Sequence, residues 1–112
     1  SMVSTKQVED GKIYAFLGIF LMVVGFLIVF LTKKENKYAM FYAKQGLILF
    51  IVVVLVQVTI AILRIVPFIG DVVTTILWIG LTILWLIGLI YSLSGEQKDI
   101  PLVGEYARKL NL

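Results

Sequence analysis

The sequence contains no cysteine and no histidine. Without cysteine there can be no disulfide, and the redox compartment cannot be inferred. Zinc sites of the usual Cys/His type and histidine-based acid–base catalysis are excluded within this chain. Charge is scarce as well. Charged residues make up 15% of the chain, against about a quarter in an ordinary soluble domain. What fills their place is apolar: 61% of the residues are hydrophobic. A chain of 112 residues suffices for one domain, here 1–112. A domain of that size has too much surface to hide so much apolar material from water, and the solvent that suits the excess is a bilayer.

A hydrocarbon core about 30 Å thick calls for roughly 20 apolar residues per spanning helix. Ile13 to Leu31, Gln45 to Leu63 and Val72 to Tyr91 are free of charge. The runs are apolar on every side, without the alternation that a membrane barrel needs. Helices also satisfy their backbone polar groups internally, as lipid demands. The expected fold is an all-α integral membrane protein with three transmembrane helices, over about 13–31, 45–65 and 72–93. An interfacial amphipathic connector, about 33–44, is expected before the second. A short amphipathic C-terminal helix, about 103–111, is expected after the third.

Helix one places Gly11, Ala15, Gly18 and Gly25 at spacings that keep them on one seam, with Met22 filling the gap. Small residues let backbones approach closely in lipid. Gly80, Gly88 and Ser92 offer a similar face on helix three. The sequence leaves open whether these faces meet within the chain or between copies.

In the connector, Lys33, Lys37 and Lys44 share one helical face and Tyr38, Phe41 and Tyr42 another. That pattern predicts a helix in the interface with its aromatics at headgroup depth. Asn36 is placed to cap it, and Gly46 is a candidate bend. Lys33, Lys34, Lys37, Lys44 and Gln45 are the candidates for holding an anionic headgroup, at about 1 kcal/mol per cation. Pro67 ends helix two, and Asp71 stands where an N-cap for helix three would stand.

Ionisable or polar groups at membrane depth are functional suspects. Here they are Gln57, Thr59, Arg64, Asp71 and Thr82. Structural readings compete: Arg64 can reach the interface, Asp71 can cap, and Gln57, Thr59 and Thr82 can bond between helices. The sequence shows no nucleophile–base pair, phosphate loop or metal-ligand cluster. Neither catalysis nor a cofactor is expected. The expected partners are the lipid bilayer, including anionic lipids, and a second copy or another membrane protein; nucleic acid is not among them.

Lysines set the expected orientation. Lys33, Lys34, Lys37 and Lys44 in the connector, with Lys98, Arg108 and Lys109 in the tail, fall on one side of a three-span protein. Lys6, Lys12 and Arg64 fall on the other. The positive-inside rule then puts the connector, 32–46, and the C-terminus in the cytoplasm and the N-terminus outside.

The segments Tyr14-Ala15-Phe16-Leu17-Gly18-Ile19, Phe41-Tyr42-Ala43-Lys44-Gln45-Gly46-Leu47, Val66-Pro67-Phe68-Ile69-Gly70 and Ile100-Pro101-Leu102-Val103-Gly104 carry a resemblance. The chain resembles a family of small prokaryotic polytopic membrane proteins of unknown function. That family is similar to the Tic-twenty component of the chloroplast inner-envelope protein-import machinery. The resemblance spans about residues 10 to 110, and its most specific part is the Phe41–Leu47 block. It implies a helical protein of a prokaryotic cell membrane acting as a non-enzymatic subunit of an assembly. The family usually has His where this chain has Tyr42, which argues against proton transfer or metal binding at that position. Two alternatives stand beside the assembly reading: an oligomeric channel or transporter, and an anionic-lipid-binding or envelope-stress protein.

Overall fold

The computed structural model describes residues 4–110. Among these residues five helices follow one another: α1 (Thr5–Phe20), α2 (Val23–Thr32), α3 (Lys37–Leu63), α4 (Ile69–Ser92) and α5 (Gly104–Arg108). Two of them, α3 and α4, are long and apolar enough to cross a bilayer. At 27 residues, α3 is about 40 Å long, and at 24 residues, α4 is about 36 Å. They form an antiparallel hairpin. Gly70 at the start of α4 packs against the end of α3, where an added Cβ would lie 2.8 Å from the Leu63 carbonyl oxygen.

The single spanning helix expected over 13–31 is replaced by two short helices that double back. Helix α1 ends at Phe20, and α2 begins at Val23. Between them Met22 has φ 53° and ψ −113°, a conformation that normally requires glycine. The reversal is plain from what meets across it. The Lys33 ammonium sits over the Tyr14 ring, 5.2 Å from its centroid. In one straight helix residues so far apart in sequence would be about 28 Å apart. Gly25 lies against the Leu17 carbonyl and Gly18 Cα, so the predicted seam folds on itself at this point.

Helix α3 then starts beside the start of α1 and runs parallel to it. Asn36 Nδ2 donates to the Gln7 carbonyl at 3.0 Å, while its Oδ1 accepts from Ala39 N at 3.0 Å. The predicted cap therefore also ties two helices together. Further along, a Cβ on Gly18 would stand 2.9 Å from Ala43 Cα. On Gly46 it would collide with the Gly18 carbonyl oxygen. Gly46 thus serves close approach, and α3 passes through it as one helix. The connector expected at 33–44 is likewise a short turn after α2 followed, from Lys37, by the first part of α3, not a separate interfacial helix.

Seven buried residues from α1, α3 and the tail form the core: Ala15, Ile19, Tyr38, Tyr42, Leu49, Ile100 and Val103. Phe26, Val29, Ala39, Met40 and Ala43 form a second cluster between α2 and α3. Everything in this core lies toward one end of a body 52 Å long. Beyond Leu49 the outer faces of α3 and α4 carry exposed Ile51, Val54, Leu55, Val58, Ile62, Ile76, Ile79 and Ile83. Leaving so much apolar surface uncovered is unfavourable in water and suits lipid. Gly80 has nothing within 4 Å, whereas Gly88 is pressed against Ile100 and Ile19.

Helix α4 starts at Ile69, so Asp71 lies in the first turn instead of capping it. There its charge still favours the helix dipole. The C-terminal helix is shorter than the predicted 103–111, and Asn111 lies outside the described residues.

A basic cleft held by a polar clamp

The start of α3 presents three faces with three tasks. Ala39, Ala43 and Gly46 meet α1 and α2. Tyr38, Tyr42 and Gln45 turn inward. Lys37, Phe41 and Lys44 line a cleft.

The inward face is a clamp on residues 92–100, the last residue of α4 and the irregular segment after it. The Tyr38 hydroxyl donates to the Ser92 carbonyl at 2.6 Å and accepts from Gly95 N–H at 3.1 Å. The Tyr42 hydroxyl donates to the Glu96 carbonyl at 2.6 Å and accepts from Lys98 N–H at 3.0 Å. Gln45 Nε2 donates to the Lys98 carbonyl at 3.1 Å, and its Oε1 accepts from Ile100 N–H at 2.7 Å. Each side chain both donates and accepts, and the Tyr38 hydroxyl has the Tyr91 carbonyl as a second, longer acceptor at 3.5 Å. Positions i, i+4 and i+7 stack on one side of a helix, so three residues of one helix address six backbone groups of one loop. Buried backbone groups need such partners.

This clamp brings the tail onto α3 and completes the cleft. Its volume is about 390 Å³, and it is lined by Lys34, Lys37, Met40, Phe41, Lys44, Gln97, Ala107 and Arg108. Four of those eight side chains are cations. Arg108 is held by Asp99 at 2.9 Å, and Lys34 lies over the Phe30 ring, 4.5 Å from its centroid.

Of the five headgroup candidates, Lys34, Lys37 and Lys44 converge here. Lys33 is turned to Tyr14 instead. Gln45 is only 1% exposed, and its amide faces the loop, not a headgroup. Tyr38 and Tyr42 are fully buried and face the loop, not lipid. Gln97 and Arg108 were not singled out from sequence, because only the clamp brings them near α3. The one signal in the sequence is the polar stripe Tyr38–Tyr42–Gln45 on a helical face apart from Lys37 and Lys44, which demands a polar partner.

The polar candidates further along do not join the cleft. Thr59 donates to Leu55 O at 2.9 Å and Thr82 to Trp78 O at 2.8 Å, each within its own helix. Gln57, Arg64 and Asp71 are exposed. Among the packing candidates Gly11, Ala15, Gly18, Gly25, Gly88 and Ser92 are buried within this one chain, and Gly80 is not.

A UPF0132 membrane protein of Methanocaldococcus jannaschii is 30% identical to this chain over 100 residues, covering 89% of the chain and 69% of the relative. The chain belongs to the UPF0132 family of membrane proteins. The family assignment and the two long apolar helices agree on a membrane location. No family model matches, and no solved structure matches this UPF0132 member.

Proposed function

We propose that this chain is a non-enzymatic membrane protein of the prokaryotic cell membrane whose basic cleft binds the headgroup of an anionic phospholipid. One observation carries the reading: Lys34, Lys37, Lys44 and Arg108 converge on one cleft beside apolar Met40 and Phe41. Cations near a membrane surface attract anionic lipid by about 1 kcal/mol each. The neighbouring ring and thioether offer a place for the first carbons of an acyl chain.

The test is native mass spectrometry of protein released from nanodiscs of phosphatidylglycerol and phosphatidylcholine. The wild type is expected to keep phosphatidylglycerol. Lys37→Gln together with Lys44→Gln should lower that retention by roughly 30-fold, from about 1 kcal/mol per charge. Equal retention by the double variant, or equal retention of the two lipids by the wild type, counts against the cleft.

A second reading, a subunit that assembles with its own copies, is favoured by the open surface at Gly80, beside a shallow groove lined by Thr74, Thr75, Trp78 and Thr82. Gly80→Leu should then reduce copy number in the same spectra while leaving the monomer folded. An unchanged copy number, or a monomeric wild type, removes this reading. The resemblance to a protein-import component implies an assembly subunit and not import by this chain, and import draws on no feature of the cleft or the groove. A channel would need free polar groups along a path, and the hydroxyls of Thr59 and Thr82 are already bonded to their own helices.

A further inference from the structure

Helices α1 and α2 have 16 and 10 residues. The apolar part of α1 begins at Ile13, so it reaches only about 12 Å before the turn, and α2 returns over about 15 Å. Neither length crosses a hydrocarbon core of about 30 Å. Their shared tip, Phe20-Leu21-Met22, stands beside α4 about two turns before its C-terminal end: the Phe20 and Trp85 rings are 5.4 Å apart. A turn at that depth leaves backbone groups that lipid cannot satisfy. One of them has a protein donor, since Trp85 Nε1 donates to the Phe20 carbonyl at 3.4 Å.

Charge follows the same division. Of the ten Lys and Arg residues, only Arg64 lies at the end where α3 and α4 join. Of the seven Asp and Glu residues, only Asp71 does. All the others gather where α1 and α3 begin, where α2 and α4 finish, and in the tail.

We infer that α1 and α2 form a re-entrant hairpin that enters and leaves a single leaflet. Only α3 and α4 cross the bilayer, and Ser4, Glu35 and Glu105 share its cytoplasmic face. The cytoplasmic assignment follows from the positive-inside rule applied to the folded molecule. Lys6 and Lys12, which a three-span protein would put outside, now join the majority. The inference does not depend on what the cleft binds, and labelling reads nothing of lipid retention.

The absence of cysteine makes the test direct. Ser4→Cys, Glu35→Cys, Glu105→Cys and Phe68→Cys, each at an exposed position, give four proteins with one thiol each. A membrane-impermeant maleimide is applied to intact cells and to inverted membrane vesicles. The expected result is that the Ser4, Glu35 and Glu105 variants react only in inverted vesicles, and Phe68→Cys only in cells. Ser4→Cys reacting in cells while Glu35→Cys reacts in inverted vesicles would show that the first two helices cross, and would overturn the inference. Reaction of Phe68→Cys from the cytoplasmic face would overturn it equally.

Discussion

Gly46→Leu is expected to separate the α1–α2 hairpin from α3. Even a single Cβ at this position collides with the Gly18 carbonyl oxygen. The obstacle is backbone, so no rotamer change relieves it, and Gly18 is itself confined by Ala43. Overpacking a well-filled contact costs typically 1–3 kcal/mol. With helix backbones on both sides, about 3 kcal/mol or more is expected here. Thermal unfolding in detergent, followed by tryptophan fluorescence, measures the effect. Trp85 lies against Phe20 at the hairpin tip, so its emission should shift once the tip leaves. Gly80→Ala is the control: it has nothing within 4 Å, and exchanging glycine for alanine within a helix should raise stability by up to about 1 kcal/mol. If the two variants behave alike, the close contact between α1 and α3 is not what holds the hairpin.

Gln45→Leu should release the tail. The substitution keeps the volume and removes both bonds, leaving the Lys98 carbonyl and the Ile100 N–H without partners. A buried polar group left unmade costs about 1–3 kcal/mol, so the pair amounts to roughly 2–6 kcal/mol. Ile100 and Val103 belong to the core, and both depend on this loop staying in place. Limited proteolysis should show new cleavage between Gly95 and Val103, at protease levels that spare the wild type. Because Gln97, Ala107 and Arg108 reach the cleft only through the clamp, the same variant should also retain less phosphatidylglycerol. A protease-resistant tail in Gln45→Leu would mean that apolar contacts alone seat it.

The two long helices were legible in the sequence, and the reasons are local. Their apolar runs are long enough to stand alone as spans, and Pro67 separates them. Asn36 could be read as a cap because capping is a short-range device, three residues long. The hairpin could not be read. Its reversal falls at Leu21-Met22, inside an unbroken apolar run, with neither glycine nor proline to mark it. Length alone therefore favoured a single span. The seam of Gly11, Ala15, Gly18 and Gly25 was visible, but whether it met another copy or this same chain depended on that turn.

The cleft was legible in part for a similar reason. Lys34, Lys37 and Lys44 lie near one another in sequence, so helical spacing could group them. Arg108 comes from the far end of the chain, joined through six hydrogen bonds that span more than fifty residues. Periodicity sets which face a residue takes and carries no news of what that face will meet. Tyr38 and Tyr42 looked like interface aromatics because their helix was read without the loop that occupies them.

The uneven distribution of helices along the long axis has a mechanical outcome. Four helices stand side by side at one level and only two continue below, so the body is a wedge. Seated as inferred, it would take up more area in the inner leaflet than in the outer one. At high density such a shape favours membrane that bends toward the cytoplasm, and the protein should be found enriched where the sheet already curves that way.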